Sequence, residues 1–579
     1  MEKNTVIGID LGTTYSCVAY VDDSGKSVVI PNSEGEHTTP SVVYYDKDNH
    51  AIVGARAKEL ALLEPTQVAS FIKREMGNDN FIFECRAGSL RPVEISSHIL
   101  RKLAKDASDY LGKEIKDVVI TCPAYFFIKE REATKLAAQK AGLNVLEILD
   151  EPVAAAISYG IANNVDRPKN VLVYDLGGGT FDATLIRVEK DRIETICKDG
   201  DDRLGGKDWD ERLIKLLVGK ISEESSNDEQ DFYSDSECYA ELKRLAEKIK
   251  KQLTSATTPT SKVTERLTYN GQRYELSVSL EEFESITKDL LYRTLDFIDA
   301  VLGDAKKKGI DHFDEMLLVG GSSKMLQVKK AISEKYGILP KMFDPDEAVA
   351  KGAAIVGNNA VIRTMLEEKI KLLTKNPEFT LTGKSEEDDV YLGALEEAKN
   401  QLQLQGITNR EITNALKKIV NVSSKTFGTL AIPYDEAAKG NTDGKFNRLF
   451  NLIYRNTALP AETVYNCCTI FKDQSSVHFE VLENLANPPE PGDTETLSRG
   501  LDPSIGIVLW EGDLQLPPGL PAEAPLEVIF KMSSEGLLDV TCRHSDSGKS
   551  IHTVITTGAI LSREEEKEIE RRNTNLIID

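Results

Sequence analysis

Two short segments of this chain share a pattern suited to holding phosphate: VIGIDLGTT at 6–14 and VYDLGGGTFD at 173–182. Each reads as an apolar strand, an Asp, a glycine-rich turn and a second strand. Glycine at the bend lets backbone N–H groups approach phosphate oxygens with no Cβ in the way. The hydroxyls of Thr13, Thr14 and Thr180 add donors. Asp10 and Asp175, each at a strand end, are expected to face one another across a cleft. Two carboxylates there suit Mg2+, which prefers oxygen ligands and keeps several of its waters. One such turn alone is a weak sign, because Gly-Thr bends are common in structural hairpins; the paired copies are a strong one. No GxxxxGK[ST] sequence occurs at either turn, so this is not a Walker A loop. A third turn, LLVGGSSKM at 317–325, again follows an apolar strand. Its two adjacent glycines would let a flat purine lie against backbone, although, taken alone, a plain strand-to-helix connection is the favoured reading.

The elements around these turns suggest how they are positioned. From 1 to about 357, short apolar runs alternate with amphipathic helical stretches, the pattern of an α/β fold. Expected strands include Val6–Asp10, Val118–Thr121, Val171–Asp175 and Met316–Val319; expected helices include Ser96–Leu111 and Glu130–Ala141. The repeated turn implies a duplicated unit, one copy in each of two lobes. Residues 361–418 carry two helical patterns around a charged break, Lys384–Asp389, and read as an insertion. From 419 to 561 the chain is strand-rich, with turn signals at Asn456-Thr457, Pro517-Pro518-Gly519, Ser534-Glu535-Gly536 and Asp546-Ser547-Gly548. Ser562-Arg-Glu-Glu resembles a capping box opening a last helix over 562–579.

A chain of 579 residues is too long for one hydrophobic core. A formal net charge of −23 argues against a general nucleic-acid binder, which needs a basic footprint. The N-terminus MEKNTVIGID shows no secretory pattern, and no run approaches the ~18 apolar residues needed to cross a bilayer. The eight cysteines suggest neither a disulfide framework nor a zinc site. Cys467 and Cys468 are adjacent, and neighbours on a strand point to opposite faces. A reducing cytoplasm is the expected compartment.

The order of motifs now becomes specific. GIDLGTTYS at 8–16, PAYF at 123–126, EPVAAAISYG at 151–160, VYDLGGGTFD, DRLGGKDWD at 202–210, VGGSSKM at 319–325 and DPDEAVAKGAA at 344–354 occur in the order used by heat shock protein 70 (DnaK-type) chaperones. The chain resembles that family nearly without a break over 1–357. The resemblance implies an actin-like, two-lobed ATPase domain over 1–360, a helical insertion over 361–418, a β-sandwich peptide-binding domain over 419–561 and the start of a helical lid over 562–579. It implies ATP and ADP as ligands, Mg2+ held through water by Asp10 and Asp175, and K+ as a further candidate ion. By the same likeness Gly12, Thr13, Thr14 and Tyr15 would cradle the phosphates with Gly177, Gly178, Gly179 and Thr180. Lys73, in FIKREMG, matches the family's catalytic lysine, and Glu151 and Asp182 would orient the attacking water and the metal shell. LKRLAEKIKKQLTS at 242–255 aligns with the purine-contacting helix and points to Glu247, Lys250, Lys251 and Thr254, alongside Gly206, Gly320, Gly321, Ser322, Lys324 and Asp346.

Several positions depart from the family pattern. Lys251 and Lys324 stand where the family usually has arginines, and an ammonium stacks on a base less well than a planar guanidinium. Pro123 and Arg131 occupy the family's switch positions, although a proline ending a strand is equally an ordinary stop. In the strand-rich part the anchors are IYRNTALP at 453–460, SSVHFEVLEN at 475–484 and APLEVIFKMSSEGLLDVTCRHSDSGK at 524–549. There Ile470, Val477 and Phe479 either line a pocket for an extended peptide or belong to the core of the sandwich. The leucine-rich linker of the family is replaced by KKIVNVSSKTFG at 417–428, and the lid is nearly absent. The resemblance implies unfolded peptides, a J-domain co-chaperone and a nucleotide-exchange factor as partners. A regulatory or scaffold relative that binds ATP with little coupled peptide cycling is the alternative, and a small-molecule kinase of the same superfold is a third reading.

Overall fold

The computed structural model describes residues 4–48, 50–162, 167–225, 227–255, 258, 260–381, 389–486, 499–554 and 563–579. The chain divides into two compact units. The first comprises Met1–Tyr125, Ala133–Ile419 and Ile560–Asp579; the second comprises Phe126–Glu132 and Val420–Ala559.

Two sheets in the first unit repeat one topology. In one, β1 (Ile7–Asp10), β2 (Tyr15–Val21), β3 (Ser27–Val29), β4 (Asp117–Cys122) and β5 (Asn144–Asp150) lie in the order β3-β2-β1-β4-β5. In the other, β6 (Lys169–Leu176), β7 (Phe181–Val188), β8 (Arg192–Asp201), β9 (Glu315–Val319) and β10 (Lys341–Met342) lie in the order β8-β7-β6-β9-β10. Strand directions match as well: β1 is antiparallel to β2 and parallel to β4, as β6 is antiparallel to β7 and parallel to β9. The duplication expected from the repeated turn is therefore present in the topology, with one turn in the first hairpin of each sheet. Ile7, Ile9, Val119 and Ile120 are fully buried, as are Val171 and Val173. Strands covered on both faces have this near-continuous apolar character.

Five helices of this unit matter for the cleft and its surroundings: α1 (Pro92–Leu111), α2 (Glu151–Ala162), α3 (Gly206–Glu224), α4 (Ser236–Leu253) and α5 (Ala348–Thr374). Small residues let α2 and α5 cross closely between the two sheets. A Cβ on Gly352 would come within 1.9 Å of the Ala154 carbonyl oxygen, and one on Gly8 within 2.1 Å of the Ala354 nitrogen. Val6 and Val119 of one sheet share a single core with Val171 and Ile186 of the other.

The boundary expected after 360 falls inside α5, which runs unbroken from Ala348 to Thr374. Its second half carries Ile362, Leu366 and Ile370, fully buried against Ala394, Ala398 and Leu402 of α6 (Asp389–Leu404) and Ile412 of α7 (Asn409–Ala415). Residues spaced by four lie on one helix face, so the stripe simply continues the helix and builds a small bundle on it. Thr408 and Glu411 form a capping box at the start of α7. The charged break expected at Lys384–Asp389 lies, except for Asp389, outside the described residues.

The second unit holds two four-stranded sheets. The strands are β11 (Thr426–Ala431), β12 (Arg448–Ile453), β13 (Ala461–Cys468), β14 (Ser476–Asn484), β15 (Gly506–Gln515), β16 (Pro525–Met532), β17 (Leu538–His544) and β18 (Ser550–Val554), in the orders β12-β11-β14-β15 and β13-β16-β17-β18. Phe427, Phe479, Val481 and Leu514 of one sheet share a core with Val528, Phe530, Val540 and Cys542 of the other. The expected turns hold residues at positive φ, among them Asn456 (64°), Gly519 (85°), Gly536 (81°) and Gly548 (68°). Strand alternation separates the adjacent cysteines: Cys467 packs on the core while Cys468 is exposed. Burial pushes the Cys467 thiol up to about 12.

The helix expected at the end of the chain is α8 (Arg563–Asn575), followed by the short strand β19 (Ile577–Ile578). Ser562 lies outside the described residues. Both elements belong to the first unit, where β19 pairs in parallel with the strand His50–Val53. The segment expected to start a lid is grouped with the first unit, where its apolar residues Ile569, Leu576 and Ile578 are buried.

Candidate functional site

A cleft of about 900 Å3 opens where the two repeated hairpins meet. Asp10 ends β1 and Asp175 lies next to the end of β6, so both carboxylates arrive at its floor. The two turns approach with no room to spare. A Cβ on Gly12 would meet the Tyr15 carbonyl oxygen at 1.9 Å, one on Gly178 the Thr14 hydroxyl at 1.6 Å, and one on Gly179 the Thr13 side chain at 2.5 Å. The second turn is fastened to α3 by Gly206 N–H donating to Gly177 O (3.0 Å) and Lys207 N–H to Gly178 O (2.8 Å). Thr14 Oγ1 is buried and has no hydrogen-bond partner among the described residues. A buried hydroxyl left in that state costs about 1–3 kcal/mol, so it stands as an unspent donor beside the two turns. Gly320, at φ +80°, packs against the Leu176 carbonyl and the Asp175 carboxylate, where a Cβ would come within 2.6 Å of each.

Lys73 donates to Glu151 Oε1 at 2.5 Å, with both side chains almost completely buried. Burial opposes the Lys73 charge, but Glu151 and Asp10 outweigh it and hold the ammonium above the ordinary lysine range. The carboxylates behave in the opposite sense. Burial, then repulsion from Glu151, raises Asp10 to about 7, although Lys73 and the Thr121 hydroxyl at 3.4 Å work against the rise. Asp175 is pushed well up by burial and by Glu151, Asp182 and Asp10. Asp182, which accepts the Tyr125 N–H at 2.9 Å, is raised to about 8 by burial and by Glu151 and Asp150. Four carboxyl groups around one lysine, three of them buried, form a site short of positive charge, which suits the divalent cation that the resemblance implies. Among the described residues no three His, Cys, Asp or Glu side chains are arranged to hold a metal directly.

Lys73 reaches the floor from an unusual backbone. Phe71 lies at φ 60°, ψ 22°, immediately before the 3-10 turn Ile72–Glu75. A bulky residue in this left-handed region is uncommon and clusters at functional sites. The same turn sends Arg74 across to the second hairpin. Its Nε donates to Gly179 O at 2.8 Å and its terminal nitrogens pair with the Asp208 carboxylate, which also accepts the Gly205 N–H at 2.7 Å.

At the mouth, Glu247, Lys250, Lys251 and Thr254 follow one another along α4 and its C-cap. Lys250 donates to Gly206 O (2.8 Å) and pairs with Asp210 (2.7 Å). Glu247 receives Lys58 at 2.6 Å and Lys251 at 2.7 Å. Burial alone would raise Glu247, but the two ammonium groups outweigh it and hold its pKa at about 2. Tyr15 donates its hydroxyl to Glu247 at 3.3 Å, and the Lys58 and Lys251 ammoniums stand 5.1 and 4.9 Å from its ring centroid. Thr254 Oγ1 donates to Lys250 O at 2.9 Å. Gly320, Gly321, Ser322, Lys324 and Asp346 line the facing wall, with Lys324 paired to Asp346. Most residues singled out from the sequence in the first unit, including Thr13, Gly177 and Thr180, thus meet at this one cleft.

Sequence reasoning missed Lys58, Arg74, Asp208 and Asp210. The last three lie inside the motifs FIKREMG and DRLGGKDWD, where their charges beside the glycine turns are the signal. Lys58 carried no such signal, because its partner Glu247 lies far away in the chain.

In the second unit Phe479 is 5% exposed and, with Val477 packed beside it, belongs to the core between the sheets. Ile470 is half-buried, and its N–H donates to Gln474 Oε1 at 3.0 Å. Arg131 falls within the segment grouped with this unit, and Pro123 within the first.

A family model described as Hsp70 protein matches residues 6–377. Among curated proteins, the chaperone protein DnaK of Thermotoga neapolitana is 35% identical over 572 residues, covering 98% of this chain and 83% of the relative. The DnaK proteins of Thermotoga petrophila and Thermotoga maritima are each 34% identical over the same shares. With the paired turns, the buried Lys73–Glu151 contact and a likeness spanning nearly all of its length, this chain belongs to the Hsp70 family.

Proposed function

We propose that this chain is an ATP-hydrolysing chaperone in which an actin-like ATPase unit controls a β-sandwich that binds extended peptide. The observation that carries the reading is the pair of facing glycine turns with the unspent Thr14 hydroxyl, set beside Lys73 and Glu151. Backbone N–H groups of the two turns and the hydroxyls of Thr13, Thr14 and Thr180 bind the phosphates. Phosphoryl transfer to water asks chiefly for positioning and charge neutralisation, since it needs little covalent help from the protein. Lys73 neutralises charge at the terminal phosphate, releasing part of its hold on Glu151. Glu151 and Asp182 accept hydrogen bonds from the attacking water and align it. Asp10 and Asp175 would hold Mg2+, which would supply charge neutralisation at the phosphates. Glu247, Lys250, Lys251 and Lys324 enclose the adenosine, with ammonium groups giving charge where a guanidinium would also stack.

The second half of the proposal rests on family membership and on two sheets closing over one core. Unfolded peptide, a J-domain co-chaperone and a nucleotide-exchange factor are the proposed partners, and the cytoplasm the proposed compartment. The alternative reading is a nucleotide-binding regulator with little coupled peptide cycling. Steady-state ATP hydrolysis by the whole chain, titrated with an unfolded apolar peptide and with Lys73→Ala as control, separates the readings. Peptide-accelerated, Lys73-dependent hydrolysis supports the coupled chaperone. Lys73-dependent hydrolysis indifferent to peptide supports the regulator, and no hydrolysis overturns the ATPase assignment.

A further inference from the structure

Two acidic residues stand side by side where β5 ends and α2 begins, and each takes a buried lysine. Glu151, the first residue of α2, is held by Lys73. Asp150, the last residue of β5, accepts the Lys198 ammonium at 2.6 Å, and the Lys198 and Asp150 side chains are 2% and 0% exposed. Lys198 comes from β8, in the second of the two repeated sheets, whereas β5 is the edge strand of the first. The pair therefore ties one sheet to the other at the residue that precedes Glu151.

The ladder of the second sheet brings the same lysine close to Asp182. Asp182 lies opposite Asp175 on one side and Gly200 on the other, and Thr184 lies opposite Lys198. Side chains alternate along a strand, so Asp175, Asp182, Thr184 and Lys198 share one face, with Lys198 one row behind the carboxylates. Gly200 leaves room there, because a Cβ on it would come within 3.0 Å of Asp182 Oδ1. The Asp182 carboxylate thus leans over β8, where it accepts the Tyr125 N–H at 2.9 Å. Burial and Glu151 raise that carboxyl most; Asp150 adds to the rise and Lys198 opposes it.

Stability does not explain such a pair. Desolvation consumes most of its Coulombic gain, and apolar residues of equal volume would serve a core as well. What the pair supplies is a fixed direction, since an ion pair closed to water is held in one geometry. That geometry reaches both carboxylates assigned to the attacking water: Glu151 through the peptide bond it shares with Asp150, and Asp182 through the strand ladder.

We propose that Lys198 and Asp150 are positioning residues of the hydrolytic site, a buried ion pair that spans the two sheets and sets Glu151 and Asp182 for the attacking water. Neither residue lines the cleft, so the effect falls on the hydrolytic step and leaves nucleotide affinity alone. The role rests on the reading of the cleft given above.

Single-turnover hydrolysis by the whole chain, calorimetric ADP affinity and the urea midpoint test it together. The variants are Lys198→Met, Asp150→Asn and the two combined, with Lys73→Ala marking the hydrolysis that belongs to this cleft. Each single variant should slow hydrolysis by about tenfold or more, because small misplacements of aligning groups are costly, while the ADP Kd stays within about twofold. Each should also lower the urea midpoint, since a buried charge loses its counter-charge. The double variant removes both charges. It should regain the parent's midpoint yet remain about as slow as the slower single variant, as groups acting as a unit do. Hydrolysis that returns with the midpoint in the double variant would overturn the positioning role and make the pair a structural tie. Single variants as fast as the parent, ADP binding weakened in step with the rate, or a double variant that fails to fold would overturn it as well. A parent chain that binds ADP but shows no Lys73-dependent hydrolysis would overturn the reading of the cleft, and the positioning role with it.

Discussion

The two units bury different things. The first places Lys73, Glu151, Asp175 and Asp182 inside, and nearby Lys198 and Asp150 pair at 2.6 Å with almost no exposure. The core of the second is built from side chains such as Phe427, Phe479, Phe530 and Val540, while ion pairs such as Arg543–Glu527 and Lys531–Glu462 stand at its surface. Burying charge does little for stability, because desolvation consumes most of the Coulombic gain. Burying Phe and Val contributes about 1.5–3 kcal/mol for each side chain. The contrast teaches a division of labour: the first unit spends folding free energy on a poised electrostatic site, and the second spends its core on holding two sheets together.

That contrast can be broken at either end. The largest effect is expected in the second unit, where Phe530→Ala should lower its stability by about 3–5 kcal/mol, read as a shift in its urea midpoint, with ATP binding retained. In the first unit Lys73→Ala should slow single-turnover hydrolysis by about 10²–10³-fold. Parallel losses of stability and hydrolysis in both variants would erase the distinction. Thr14→Val removes the unspent hydroxyl and should weaken ADP binding by about tenfold in calorimetry while leaving the fold as stable or more so, since an unpaired buried donor disappears. Unchanged affinity would remove Thr14 from the phosphate cradle.

The smallest effect is electrostatic and sharpens the comparison at the cleft mouth. Glu247 is held at about 2, below its ordinary value, so its contribution to stability is present above about 4.5 and is lost as pH falls towards 2. Its partners are partly exposed, which limits the contribution to about 1 kcal/mol. Urea midpoints of the parent and Glu247→Gln should differ at pH 6 and converge as pH approaches 2. A constant difference across that range would mean that packing, not charge, sets the role of Glu247.

Local pattern made much of this legible. Apolar runs ending in Asp and glycine located β1 and β6, because strand period and turn chemistry are short-range properties. The turn signals of the second unit were readable for the same reason. The boundary at 360 failed because Ile362, Leu366 and Ile370 prolong a helix that a change in composition seemed to interrupt. Val477 and Phe479 stayed ambiguous because an apolar residue on a strand reads alike whether it faces a core or a groove.

The sequence by itself determined that two glycine-rich Asp turns exist, that Thr and backbone donors surround them, and that the chain keeps the motif order of its family. Only the tertiary structure decided that Gly178 presses against Thr14, that Lys73 is neutralised by Glu151, that Lys58 meets Glu247, and that residues 563–579 join the first unit. Each of those outcomes depends on residues distant in the chain brought within a few ångströms. Desolvation and Coulomb energy at such distances depend on the completed packing, which no local stretch of residues encodes.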